Sequence, residues 1–249
     1  MSQLAVLKAK SINSNTPVCE KTQSCKIFYH NIHSLRDKIE DLKADLLLTF
    51  SDILILGETW LETDKDSDQS LSALCQTINN DTNKEVSPLH LNGYRLHLNS
   101  NGRGKGLATY FKENKFAIKQ DITNEDLQLT ILESKNLCVI GLYRSNADKT
   151  LSLQLKELIP AVGTCLIIGD FNLCTQRSPS HEVFITLKAL GFNLIVTEAT
   201  HFDGGHLDQA WLRIMHPSTQ DVHSIELYSP YYNCKDHDAL LFSLYDPRT

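Results

Sequence analysis

The chain has 249 residues, 41% hydrophobic and 22% charged, an ordinary make-up for one large folded α/β domain. Its formal charge of −6 argues against non-specific coating of nucleic acid, because such domains are basic overall, yet it leaves room for a basic rim around an acidic metal site. No apolar run approaches the roughly 20 residues that a membrane-spanning helix needs, so no membrane partner is expected. The first fifteen residues, MSQLAVLKAKSINSN, lack the charged start, apolar centre and small-residue cleavage site of a signal peptide, so secretion is not expected. Seven cysteines form an odd set without a CxxC pair and are read as reduced thiols of an intracellular protein.

In chain order, residues 1–24 are polar and weakly patterned and read as a flexible leader; 25–249 read as one domain. A strand is expected over 25–29, then a helix over 34–48 with Leu35, Ile39, Leu42 and Leu46 at helical spacing. The run SDILIL at 51–56 reads as a buried strand. The stretch 62–83 is acidic and Asn-rich, with a weak helical signal at 71–78. Strands follow at 94–98, 107–111, 127–132 and 137–143, the first two joined by a Gly-rich turn. Helices are expected over 151–158 and 182–190, and strands at 165–169, 194–196, 206–211, 224–227 and 239–245. There is no internal repeat or domain linker.

Polar residues at the mouths of these apolar strands are the informative feature. Asn31 follows KIFYH, Glu58 follows DILILG, and Tyr143 ends LCVIGLY. Asp170 and Asn172 end CLIIGDFN, Asp208 sits in HLDQAW, and Asp236 with His237 precede ALLFSLY. Strand ends are rigid, so groups carried there can converge on one site. The inventory suits phosphodiester hydrolysis. Glu58 and a second carboxylate would hold Mg²⁺, a hard ion that takes one or two carboxylates and keeps several waters, and Mn²⁺ would fit the same oxygens. Asp170 would position or deprotonate the attacking water, while Asn172, Tyr143 and a His237 oriented by Asp208 would serve the phosphoryl oxygens.

The ordered segments FYHNIHSL, ILGETWL, GLYRSN, IIGDFN, THFDGGHLDQAW and KDHDALLF resemble the exonuclease–endonuclease–phosphatase (DNase-I-like) superfamily. Within it they are most similar to the apurinic-endonuclease-like branch carried by non-LTR retrotransposons and some Helitron-type elements. The resemblance runs from about residue 25 to 245. It implies a four-layer α/β sandwich, two packed sheets with helices outside, and a site at one edge. It also implies that Glu58 and Asn31 belong to the metal side, with Asp236 close by. Asp170 and Asn172 then handle nucleophile and phosphate, and Asp208 and His237 form an Asp–His pair. The implied activity is a Mg²⁺-dependent DNA endonuclease of the nucleus that nicks one strand and leaves a 3′-hydroxyl.

Three positions depart from the family pattern. His33 stands where the repair enzymes carry Asp, Lys235 where Ser is usual, and Arg144 begins a turn where Pro is common. For substrate contacts, Arg103 and Lys105 in the Gly-rich turn and Arg144 are the basic candidates. The turn at 200–206, with Thr200 and His201, is by resemblance the candidate for target selection. NGRGKG is no phosphate loop, because a strand rather than a helix follows and no Ser or Thr succeeds the Lys. Trp60 and Trp211 read as core residues.

Each residue alone has a plain structural reading. Asn31 suits a turn, Asp170 and Asn172 an Asx turn, and Glu58 a helix start. Only their joint recurrence at six strand mouths favours catalysis. Two other functions share the constellation: a phosphatase acting on phosphoinositides or lipids, and a catalytically silent binding module.

Overall fold

The computed structural model describes residues 24–45, 50–61, 89–99, 104–135, 137–160, 163–214, 223–228 and 236–245. Residues 1–23 of the expected leader, residues 46–48 of the expected first helix, the signal at 71–78, Arg103 and Lys235 lie outside the described residues, and Ser24 already opens a strand.

Two six-stranded mixed sheets pack face to face. In chain order the strands are β1 (Ser24–Asn31), β2 (Ile53–Gly57), β3 (Arg95–Asn99), β4 (Leu107–Phe111), β5 (Ala117–Thr123) and β6 (Leu127–Glu133). They continue with β7 (Leu137–Arg144), β8 (Thr164–Asp170), β9 (Asn193–Leu194), β10 (Asp208–Arg213), β11 (His223–Tyr228) and β12 (Ala239–Tyr245). The described helices are α1 (Ile39–Ala44), α2 (Leu151–Leu158) and α3 (Glu182–Ala189). One sheet runs β11-β12-β1-β2-β4-β3 and the other β5-β6-β7-β8-β10-β9.

Side chains alternate across a strand, and here each face meets a different apolar layer. Ile27, Tyr29, Ile53, Ile55, Leu166 and Ile168 point inward and fill the space between the sheets. Burying an aliphatic side chain of this kind stabilises by about 1.5–3 kcal/mol each. Residues of opposite parity, such as Ile140, Cys165 and Ile167, face outward and are covered by α2 and α3 through Leu151, Leu155, Phe184 and Leu187. Phe28, Leu54 and Leu56 on the first sheet are covered by Ile39 and Leu42 of α1, together with Leu89 and Leu91. The expected four layers are present, with thin helical layers outside.

Two expectations are corrected. The helix expected from residue 34 begins at Ile39. The preceding backbone is held elsewhere: the N–H groups of Ile32, Ser34 and Leu35 donate to the carbonyls of Gly57, Glu58 and Thr59, and Ser34 lies at φ +75°. Strand β5 was not expected. Its residues are mostly exposed, as suits a sheet-edge strand, so no apolar run marks it.

The topology sends the polar strand ends to one edge. Each sheet has a parallel pair at its centre, β1 with β2 and β7 with β8, whose C-terminal ends therefore lie together. The register pairs Asn31 with Gly57 and Tyr143 with Asp170. The antiparallel neighbours β10 and β12 begin at that same edge, with Asp208 opposite Asp170.

Candidate active site

At this edge the inward-facing rows change from apolar to polar. Ile27 and Tyr29 lead to Asn31, Leu166 and Ile168 lead to Asp170, and Ala210 is preceded by Asp208. The site is thus the open end of the inter-sheet core. Asn31, Asp170, Asp208 and His237 are all buried.

Two contacts tie the sheets together here. The Asn31 side-chain amide donates to Glu58 Oε1 and to Asp170 Oδ2, both at 3.0 Å. The Tyr29 hydroxyl donates to Asp208 Oδ1 at 3.1 Å. Asp208 Oδ2 in turn holds His237 Nδ1 at 2.6 Å, which leaves Nε2 as the ring's working nitrogen. Asp208 is itself fixed by Thr200, whose hydroxyl accepts from the Asp208 N–H at 3.1 Å and donates to its carbonyl at 3.3 Å. His30, kept neutral because burial drives its imidazole down to about 3, donates through Nε2 to the His237 carbonyl at 3.2 Å.

Local backbone geometry is unusual at the same place. Glu58 and Asn172 both lie in the left-handed region, at φ +49° and +45°. Such conformations are uncommon outside glycine and gather at functional sites. In Asn172 the turn brings its N–H to Asp170 Oδ1 at 2.7 Å, while its amide donates to the Arg144 carbonyl at 2.9 Å and to Asp170 Oδ2 at 3.2 Å. Gly169, just before Asp170, has no room for a side chain: a Cβ would stand 2.0 Å from the Leu142 carbonyl oxygen.

Electrostatics follow from this burial. Burial first, and the charge of Asp208 next, push the Asp170 carboxyl up to about 7, against the pull of His237. Burial would lower the His237 imidazole, but the hydrogen bond and charge of Asp208 prevail and raise it to about 9. Burial likewise opposes ionisation of Glu58, yet hydrogen bonds from His33 and Asn31 outweigh it and hold the carboxyl below its usual range. Burial and the charges of Glu58 and Asp170 raise the Tyr143 phenol, which stays protonated and donates to the Gly104 carbonyl at 3.1 Å.

The donor set fits a divalent ion. The ligand atoms of Asp170, Asp208 and His237 lie within 4.8 Å of one another. Glu58, ionised and reached through the shared Asn31 amide, adds a second carboxylate beside Asp170. Because His237 Nδ1 and Asp208 Oδ2 already share a proton at 2.6 Å, the Glu58–Asp170 side offers the hard oxygens that Mg²⁺ prefers.

The other residues singled out in the sequence fall as follows. Asp236 lies at the rim, its Oδ2 3.6 Å from His33 Nδ1. Arg144 is buried, and its guanidinium faces inward to the Phe171 carbonyl at 3.1 Å and the Asp148 carbonyl at 2.7 Å. That placement makes it a prop for the Asp170–Asn172 turn. Lys105 reaches the Glu125 carbonyl at 2.6 Å. His201 packs edge-on against His237, with ring centres 4.8 Å apart, and its Nδ1 meets Asp203 Oδ1 at 2.7 Å. The 200–206 turn is docked to the His237 segment, Phe202 N–H on the Asp236 carbonyl and Asp238 N–H on the Thr200 carbonyl. Trp211 is core, whereas Trp60 is half-buried and stacks on His33. Tyr29 was not singled out. Its place two residues before Asn31, on the same face of β1, was the available signal.

A model of the endonuclease/exonuclease/phosphatase family matches residues 28–230. No curated protein matches the chain. Among solved structures, the chain is similar to the endonuclease domain of TRAS1, a telomere-specific non-LTR retrotransposon, at 11% identity and TM-score 0.60, covering 89% of this chain and 98% of that one. It is similar to an AP endonuclease from Archaeoglobus fulgidus at 15% identity and TM-score 0.58, covering 89% and 99%. A 3′ phosphatase, NExo, from Neisseria, bound to product DNA hairpin, matches at 16% identity and TM-score 0.59, covering 89% and 99%. These likenesses establish the fold. The chain belongs to the endonuclease/exonuclease/phosphatase family, a family of metal-dependent phosphoesterases.

Proposed function

We propose that this protein is a Mg²⁺-dependent DNA endonuclease that nicks one strand and leaves a 3′-hydroxyl, in the manner of target-site nicking by a transposon-derived enzyme. The observation that carries the reading is the bridge across the sheets: one Asn31 amide joins Glu58 to Asp170, next to the Asp208–His237 pair. The choice of DNA rests on the similar structures, which include a retrotransposon endonuclease domain, an AP endonuclease and a phosphatase bound to a DNA hairpin. A nuclear location follows from that substrate.

When bound, the divalent ion neutralises a phosphodiester oxygen and the developing charge on the leaving group. Asp170, with a carboxyl pushed to about 7, accepts a proton from the attacking water near neutral pH. Asn31 and Asn172 aim that carboxylate. His237, kept protonated by Asp208, presents Nε2–H to a phosphoryl oxygen as negative charge builds. The Tyr143 phenol, which donates to the Gly104 carbonyl here, would turn to the same phosphoryl oxygens when substrate enters. Thr200 holds Asp208 in place, and the 200–206 turn with His201 borders the path of the strand.

The test is nicking of supercoiled plasmid by the purified chain in Mg²⁺, with EDTA and with Asp170→Ala and His237→Ala. Open circles that a polymerase extends directly, and that vanish in both variants and in EDTA, are the expected result. A folded protein that leaves plasmid intact in Mg²⁺ and Mn²⁺ overturns the DNA reading, and release of phosphate from phosphoinositides would then identify the lipid-phosphatase alternative.

A further inference from the structure

Tyr29 belongs to the site, yet the reaction described above gives it no task. It stands on β1 between Ile27 and Asn31, with its ring in the apolar layer between the sheets and wholly buried. For packing alone a phenylalanine would serve. The hydroxyl is different, because a polar group in such a layer costs stability unless it is hydrogen-bonded. Here it reaches across to the second sheet and donates to Asp208 Oδ1 at 3.1 Å. Burial and the charges of Asp208 and Asp170 oppose its ionisation, so the phenol is a standing donor. Its seat is tight. A Cβ at Gly57 would stand 3.1 Å from the hydroxyl oxygen, closer than side chains ordinarily approach, so the glycine before Glu58 leaves the phenol its room.

What the hydroxyl does follows from where Asp208 keeps its other oxygen. Oδ2 holds His237 Nδ1 at 2.6 Å. A carboxylate torsion has a broad, roughly two-fold well, so a single hydrogen bond leaves its plane free to swing. Donors on both oxygens fix it. The Asp208 backbone is already clamped by Thr200, so Tyr29 settles what remains: the tilt of the carboxylate, and with it the direction of His237 Nε2. With each Asp208 oxygen taken by a protein donor, the divalent ion is left to the Glu58–Asp170 side.

We propose that Tyr29 is a positioning residue for the reaction: its hydroxyl fixes the Asp208 carboxylate and so aims His237 at the phosphoryl group. The proposal rests on the phosphodiesterase reading given above and deepens it. A wholly buried phenol touches no substrate, so Tyr29 should act on turnover and not on binding.

The test compares Tyr29→Phe with Tyr110→Phe. Tyr110 is an equally buried phenol on the outer face of β4, whose hydroxyl donates to the Leu89 carbonyl at 2.8 Å. In Mg²⁺, Tyr29→Phe should lower kcat for nicking about ten- to a hundredfold with KM unchanged, the scale of a small misplacement of a reacting group. Tyr110→Phe should keep the wild-type kcat. A second readout needs neither substrate nor metal. The His237 Nδ1 proton, in a bond of 2.6 Å, should give a far-downfield proton NMR signal that is absent from His237→Gln. That signal should move upfield and broaden in Tyr29→Phe and stay in place in Tyr110→Phe. If Tyr29→Phe does not fold, Gly57→Ala, which crowds the hydroxyl, takes its place with the same expectations. A rise in KM at constant kcat, equal losses of kcat in the two tyrosine variants, or an unmoved signal overturns the proposal and leaves Tyr29 a core residue. Wild type that nicks no DNA overturns the endonuclease reading instead, and the signal alone then decides the role of Tyr29.

Discussion

A carboxylate stands at each end of strand β2, buried at Asp52 and half-buried at Glu58, and the two are treated in opposite ways. Before the strand, Asp52 takes the Lys26 N–H at 3.1 Å and the ammonium groups of Lys112 and Lys115 at 3.2 and 2.8 Å. Burial opposes ionisation of Asp52, but Lys115 and the Lys26 N–H outweigh it and hold the carboxyl low. After the strand, Glu58 and its neighbour Asp170 are met by Asn31, Asn172, Trp60 and His33. One end has its counter-charge built into the chain and is a clasp. The other concentrates negative charge among amides and an imidazole, and that arrangement favours an added cation. A buried acid by itself indicates neither; the groups around it decide.

The sharpest way to break this contrast is by activity. Asp170→Asn and Glu58→Gln should each lower plasmid nicking by about 10²–10⁴-fold, the range for losing a positioned base or a key charge. Asp52→Asn should leave nicking per folded molecule unchanged. If Asp52→Asn abolished nicking in a folded protein, the two ends would not be separate in function.

Stability should move the other way. Asp52→Asn should lose about 1–3 kcal/mol, because two half-exposed lysines lose a buried partner. Asp170→Asn should gain about 1–3 kcal/mol at pH 8. The sign follows from the raised carboxyl. The unfolded chain ionises in the ordinary carboxylate range and the folded one only near 7, so the folded state is increasingly disfavoured as pH rises across that window. The gain should therefore be full above about 7 and fade toward pH 4. Thermal melting across that range reads both signs.

The smallest effect is in the pH profile. Nicking should rise on the acid side as Asp170 ionises and fall on the alkaline side as His237 loses the proton that Asp208 helps it keep, giving a bell-shaped profile. In His237→Gln the alkaline limb should disappear from the residual activity.

Much of this was legible in the sequence because strand alternation carries chemistry as well as core. Tyr143, Asp170 and Asp208 continue the inward rows of their own strands, so apolar runs ending in acids mark the sheet edge. Strands β4 and β12 and helix α2 lie at their expected bounds, since each is a compact apolar pattern. What escaped depends on long-range partners. The helix after Ser34 starts late because residues 32–35 are tied to 57–59, which no local pattern announces. β5 is an exposed edge strand. Arg144 looks like a phosphate ligand in sequence, yet Asp148 four residues on turns it inward, with Nε 3.3 Å from the carboxylate. His33 stood out only as a departure, and its hydrogen bond to Glu58 depends on how residues 32–35 dock on the β2 exit.

The most direct test of the central claim is thermal melting of wild type, Glu58→Gln and Asp52→Asn with and without Mn²⁺. At a hundredfold excess over its dissociation constant, an ion that binds only the folded state adds about 2.7 kcal/mol, roughly 5–10 °C for a domain of this size. The account predicts that rise for wild type and, from a lower starting point, for Asp52→Asn, with none for Glu58→Gln. An equal rise in Glu58→Gln, or its loss in Asp52→Asn alone, would contradict it.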